Sequence, residues 1–168
     1  MDKQELWEDL MFEIASTNII KFDNREDKVF LGVGNKSAKL MFIGDDPNLY
    51  ENGEGEMKKE SSGEFFFFFF ELVGLNFKNI YLTNFIKCNA KLSEMNSSEI
   101  DFYKDILQME IALVNPTVII PLGKDVFNIL NESDDRIEDI RGNSFEWHGN
   151  IKLIPIHAPS YLIKNDDK

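Results

Sequence analysis

Two adjacent carboxylates, Asp45 and Asp46, follow the apolar stretch Lys39-Leu40-Met41-Phe42-Ile43-Gly44. Carboxylates placed just beyond a strand can orient a water molecule or stabilise developing positive charge. The same Asp-Asp-Pro-Asn run is also ordinary turn and helix-cap chemistry. Asn84 interrupts a second apolar run, Asn79 to Lys87. A primary amide is disfavoured inside a strand, and it can either read a planar hydrogen-bonding edge or satisfy a buried structural bond. His157 is one of 2 histidines and stands beside Pro159-Ser160 at the end of the last apolar run; an imidazole there can act as an acid or base, or serve structure. Lys124 follows Gly123 at the start of a helical pattern, where a cation and free helix N–H groups can meet phosphate together. The GxxxxGK[ST] pattern of a P-loop is missing. His148, beside Trp147, is assigned to surface structure. With 2 histidines and 1 cysteine, no spacing suits a metal, and neither metal nor cofactor is expected.

The elements that must hold these residues follow from periodicity. Leu6, Trp7, Leu10, Met11 and Ile14 recur at helical spacing and predict an amphipathic helix from Leu6 to Ile20. Four apolar runs predict buried strands: 39–43, 79–87, 117–122 and 151–156. Between them lie a helix from Ser97 to Val114 with an N-cap and a stripe of Leu107, Ile111 and Val114, and a shorter helix from Lys124 to Leu130. Residues 137–147 read as a small hairpin or loop, and the Gly- and Glu-rich residues 48–61 as a mobile loop. Ser61-Ser62-Gly63-Glu64 carries capping chemistry for a helix that holds Phe65 to Phe70 without a break. Six rings in a row cover every side of a helix, which predicts burial all round, with an exposed apolar patch as the alternative. Strands alternating with helices predict an α/β fold: three layers, α/β/α, around a central, mostly parallel four-stranded sheet. Ligands of such folds sit beyond the carboxyl ends of the strands. Gly44 to Asn48, Asn84, Gly123-Lys124 and His157 to Ser160 are therefore the places to look.

Composition bounds the partners. A chain of 168 residues, 43% hydrophobic and 29% charged, suits one domain spanning 1–168 and excludes collagen, coiled-coil and disordered classes. Its net charge of −12 repels polyanions and anionic membranes, so a nucleic-acid role requires a local basic face. No stretch is long and apolar enough to span a bilayer, the N-terminus lacks a signal-peptide pattern, and the single Cys88 excludes an internal disulfide framework. A cytoplasmic, monomeric protein without membrane contact is expected.

From about Glu13 to Lys164 the motifs resemble the family 4 branch of the uracil-DNA glycosylase superfamily. That family follows its first strand with Gly-Glu-Ala-Pro-Gly-x-x-Glu-Asp, where this chain has Gly44-Asp45-Asp46-Pro47-Asn48-Leu49-Tyr50-Glu51-Asn52. Its Tyr-x-Thr-Asn-x-x-Lys-Cys strand is matched by Tyr81-Leu82-Thr83-Asn84-Phe85-Ile86-Lys87-Cys88. The segment from Asn115-Pro116 to Gly123, then Ile140-Arg141-Gly142, then Pro159-Ser160-Tyr161-Leu162 complete the order. The resemblance implies a uracil-DNA glycosylase-like fold and uracil-containing DNA as partner, with the nucleotide flipped into a pocket and its N-glycosidic bond hydrolysed to an abasic site. Asp45, Asp46 and His157 would be catalytic; Gly44, Glu51 and Asn84 would bind the base; Lys124, Arg141 and Ser160 would contact DNA. Lys58, Lys59, Lys87, Lys91 and Lys164 are expected to complete a basic rim.

The chain also departs from the family. The resemblance implies a four-iron four-sulfur cluster on four cysteines, but Ser16, Ile19 and Tyr103 occupy three of those positions and only Cys88 remains, so no cluster is expected. The base-stacking aromatic falls in Met57-Lys58-Lys59, where there is none. Ala158 occupies the histidine position and His157 stands one residue early, which needs a local bulge to restore its direction. A member of the same fold that binds a nucleotide, nucleic acid or protein without excision is the second reading.

Overall fold

A strand covered on both faces reads as an unbroken apolar run, and Leu40–Gly44 is one. In the computed structural model, which describes residues 2–16, 31–46, 49, 62–88 and 90–165, this run forms β2, preceded by the short β1 (Val33–Gly34). Further along the chain come β3 (Ile80–Asn84), β4 (Val118–Pro121), β5 (Phe145–Glu146) and β6 (Lys152–Leu153). They make one sheet in the order β1-β3-β2-β4-β6-β5. The four strands at its centre are parallel, as expected. Among the described residues the sheet nevertheless has six strands rather than four, because β1 and β5 add antiparallel edges. Each edge strand is 2 residues long, too short to leave a period in the sequence.

Register carries the alternation into layers. Met41 and Ile43 of β2, Tyr81 of β3 and Ile119 of β4 bury against α1 (Lys3–Ser16), α3 (Ser97–Val114) and α4 (Lys124–Asn131). Phe42, Ile80 and Leu82 point the other way, into a second cluster beneath α2 (Ser62–Leu72). Trp7, Leu10 and Ile14 form the buried stripe of α1. The expected extension of that helix to Ile20 falls outside the described residues. Helix α3 starts on a reciprocal cap: the Asn96 side chain accepts from Glu99 N–H, and Glu99 accepts from Asn96 N–H. It ends at Asn115 in the left-handed region, with φ 57°. Two further short helices, α5 (Ile137–Ile140) and α6 (Pro159–Lys164), close the chain, the latter packing against α2.

The phenylalanine helix departs from the expectation of burial all round. Phe66 and Phe70 bury against Phe42, with ring centroids 5.5 and 4.9 Å away. Phe67 stacks on Phe77 at 5.7 Å. Phe68 and Phe69, however, are 56% and 40% exposed, and Leu72 and Val73 beside them 64% and 67%. The cause is architectural: α2 lies on one face of the sheet and meets α6, so the rest of its circumference faces outward.

Candidate active site

Parallel pairing sets Gly44 level with Asn84. It also lines up the exits of β2, β3, β4 and the chain after β6 on one edge of the sheet, with Leu122 bridged to Ile156. At that edge Gly44 is required by space: a Cβ there would come within 2.7 Å of Leu49 Cδ2 and 2.9 Å of Asn84 Oδ1. Asn84 is 3% exposed, and its Nδ2 donates to the backbone oxygen of Asp46 at 2.9 Å. Phe85 N–H donates to Gly44 O at 2.7 Å. The Asp46 carboxylate accepts a short hydrogen bond from the Ser62 hydroxyl at the start of α2. The turn carrying both aspartates is thus tied to β3 on one side and to α2 on the other.

Asp45 projects from this turn into two cavities. One, of about 520 Å³, is lined by Asp45, Gly123, Lys124, Asp125, Arg136, Glu138, His157, Ala158, Ser160 and Tyr161, with apolar Leu122 and Ile137. The other, of about 340 Å³, is lined by Asp45, Asp46, Lys91, Leu92, Ser93, Asp125, Ser160 and Lys164. Asp45, Asp125 and Ser160 form a wall common to both. Burial, then Asp125, then Asp46 push the Asp45 carboxyl up to about 6, against a smaller opposing backbone hydrogen bond. A carboxyl titrating there is ionised at neutral pH yet basic enough to accept a proton.

His157 reaches the larger cavity, and its ring stacks on Tyr161 with centroids 4.7 Å apart and planes at 13°. Ala158 lines the same cavity, because the chain turns there into α6, of which Ala158 is the N-cap residue. Lys124 and Ser160 sit on the rim. Arg141 is exposed at the end of α5 and lines neither cavity; Arg136, at the other end of that helix, lines the larger one. Asn84 also lines neither and acts on the site through the turn. Glu51, Pro47, Asn48, Met57, Lys58 and Lys59 lie outside the described residues. Lys87 corrects the expected rim outright: it is 0% exposed, drawn inward by Glu110. Asp125 and Arg136 were not singled out from sequence. Asp125 had a signal, since it is the next residue after the strand exit Gly123-Lys124.

The model of the uracil DNA glycosylase superfamily matches residues 31–168. This chain belongs to that superfamily. It is 25% identical to a type-4 uracil-DNA glycosylase of Archaeoglobus fulgidus over 95% of this chain and 84% of the relative. A type-4 uracil-DNA glycosylase of Thermotoga maritima is likewise 25% identical, over 97% of this chain and 86% of its own length. A third, from Saccharolobus solfataricus, is 27% identical over 98% and 79%.

An iron–sulfur cluster of the kind the type-4 resemblance implies needs thiolate ligands, and this superfamily member has 1 cysteine. Cys88 is buried with its Sγ 3.3 Å from the Tyr103 hydroxyl. The Tyr103 ring fills the surrounding space against Phe85 and Phe102, at 6.5 and 5.4 Å. Burial and the Cys88 contact raise the Tyr103 hydroxyl far above its ordinary value, so it stays a neutral phenol. Ser16 is exposed at the end of α1, and Ile19 lies outside the described residues. This donor set does not fit a cluster. Among the described residues, moreover, no three His, Cys, Asp or Glu side chains are grouped to hold a metal ion. No helix among them is long and apolar enough to cross a membrane.

Proposed function

We propose that this protein hydrolyses the N-glycosidic bond of uracil in DNA, leaving an abasic site. The observation that carries the reading is the shared cavity at the strand exits: a carboxyl raised to about 6 and a histidine line it, with Lys124 and Ser160 at its rim. Breaking the C1′–N1 bond sends its electron pair to N1 and leaves an oxocarbenium-like sugar. Asp45, ionised, faces the developing positive charge and takes the proton of the water that adds to C1′. His157 donates to the uracil O2 as negative charge gathers on the base. Asn84, the residue expected to read the base, lines neither cavity and donates to Asp46 O, so its part in this reading is to hold the Asp45–Asp46 turn in place. Lys124 and Ser160 meet the flanking phosphates, and Arg136, which lines the pocket, takes the part expected of Arg141. Names of relatives at about 25% identity support the same reading.

Incubation with uracil-containing single- and double-stranded oligonucleotides, followed by alkaline cleavage at abasic sites, tests this directly. Cleavage at uracil but not at cytosine is expected. The exposed Phe68, Phe69, Leu72 and Val73 favour the second reading, a binding member of the fold, which is adopted if no cleavage occurs at any pH from 5 to about 9, a window covering both sides of the Asp45 titration.

A further inference from the structure

Lys87 is fully buried, and so is its partner Glu110, on α3. The Lys87 ammonium donates to the Asn84 backbone oxygen at 2.6 Å and to Thr83 Oγ1 at 2.8 Å, and it pairs with the Glu110 carboxylate. Glu110 in turn accepts from Tyr81 OH at 2.6 Å, from Thr83 Oγ1 at 3.1 Å, and from Gly32 N–H at 3.1 Å. Gly32 can approach only because it lacks a side chain: a Cβ would lie 2.5 Å from Leu82 O. A desolvated ion pair contributes little net stability compared with apolar residues of the same volume, so stability alone is a weak reason for placing one here. Its ammonium is aimed at the last two residues of β3, and the second of these is Asn84.

We infer that Lys87, held by Glu110, is a positioning residue that fixes the carboxyl end of β3 and thereby the direction of the Asn84 amide toward the Asp45–Asp46 turn. The effect of Asn84 on excision, through that turn, rests on the glycosylase reading above; what holds Asn84 does not. Lys87 touches no solvent and therefore no DNA. It acts through the Asn84 carbonyl, while the Asn84 side chain ties the turn through Asp46 O. Glu110 joins that end of β3 to α3 and to the segment before β1, so three parts of the fold determine one amide's orientation.

The test is the double variant Lys87→Met/Glu110→Gln, which keeps side-chain length and the acceptor for Tyr81 and Gly32 while removing both charges together. Two readouts are taken in the full chain: side-chain amide signals and hydrogen exchange of Asn84 with backbone exchange of Phe85, and uracil excision with kcat and KM separated. Faster exchange at Asn84 and Phe85 is expected, with kcat lowered about a hundred-fold, the scale of an ångström-sized misplacement. KM for DNA should stay put, because the phosphate contacts lie elsewhere. Unchanged Asn84 signals and exchange overturn the inference. So does altered exchange with kcat intact, which makes the network a stabilising element only. If the native protein does not excise uracil, the glycosylase reading fails by itself, and the exchange measurement alone decides what holds Asn84. Should the double variant fail to fold, Glu110→Gln is measured instead, where smaller changes of the same sign support the inference and none overturns it.

Discussion

Two groups of charges lie on either side of Asn84, and they obey opposite rules. Beneath it, Lys87 and Glu110 are of opposite sign, fully buried and saturated with hydrogen bonds. Above it, Asp45, Asp46 and Asp125 are of like sign and open to the cavities. Burial lowers the Lys87 ammonium, but Glu110 opposes that shift. Burial also raises the Asp45 carboxyl, and there Asp125 and Asp46 reinforce the shift instead of opposing it. On the inference above the ion pair serves geometry, whereas the like-charged set leaves the Asp45 carboxyl poised to exchange a proton near neutrality.

The contrast is sharpest in the sign of two charge deletions. Asp45→Asn should lower excision by about a thousand-fold, within the range for loss of an acid–base group. It should also stabilise the protein at pH 7. A raised folded pKa means the fold binds that proton more tightly than the unfolded chain does, so the carboxylate costs stability above about 6 and the cost is gone below the unfolded value, 3.8. The gain is expected to be on the order of 1–2 kcal/mol at pH 7 and to vanish by about pH 3, as read from denaturant midpoints. Lys87→Met should go the other way, losing about 3–5 kcal/mol because Glu110 is left buried without its partner. Destabilisation by Asp45→Asn at pH 7 would break the comparison.

His157→Ala comes next. Loss of one donor to a developing anion costs about a hundred- to a thousand-fold in rate, and single-turnover excision should show it while gel-shift affinity for DNA is unchanged. Full activity would return His157 to a purely structural role, stacked on Tyr161. Smaller again is Lys124→Ala. It should weaken DNA binding alike for all sequences and reduce the slope of log K against log salt by about 1, as for one phosphate contact. A flat salt response in the native protein removes DNA as the partner.

What the sequence revealed divides along the same line. The four central strands were legible because each is a local apolar run, and Asp45, His157, Lys124 and Ser160 because they follow those runs directly. Lys87 was misread as a rim cation: a lysine shows nothing locally of a carboxylate 23 positions away on another element. The phenylalanine helix was misread for a similar reason, since its composition is uniform and only the packing of α2 decides which rings face outward. Asp125 was passed over because a helix-start aspartate is so ordinary, and its consequence lies in a neighbour from another loop.

Asp125 therefore supplies the finest test of the open group. It is exposed on the first turn of α4, while Asp45 stands across the wall shared by both cavities. Its charge raises Asp45 less than burial does but more than Asp46 does. Asp125→Asn keeps the shape and removes that charge, so the Asp45 carboxyl should titrate below 6 without reaching its ordinary 3.8, because burial remains. With Asp45 as the proposed ionised base, the acid limb of the kcat profile should move to lower pH by a fraction of a unit and the plateau should change little. The shift should shrink as salt is added, an exposed charge being screened over about 10 Å at 0.1 M. An acid limb that stays in place in Asp125→Asn but disappears in residual-activity measurements on Asp45→Asn would mean that burial alone sets the carboxyl. A limb that moves to higher pH would show that the titrating group is not a carboxylate beside Asp125.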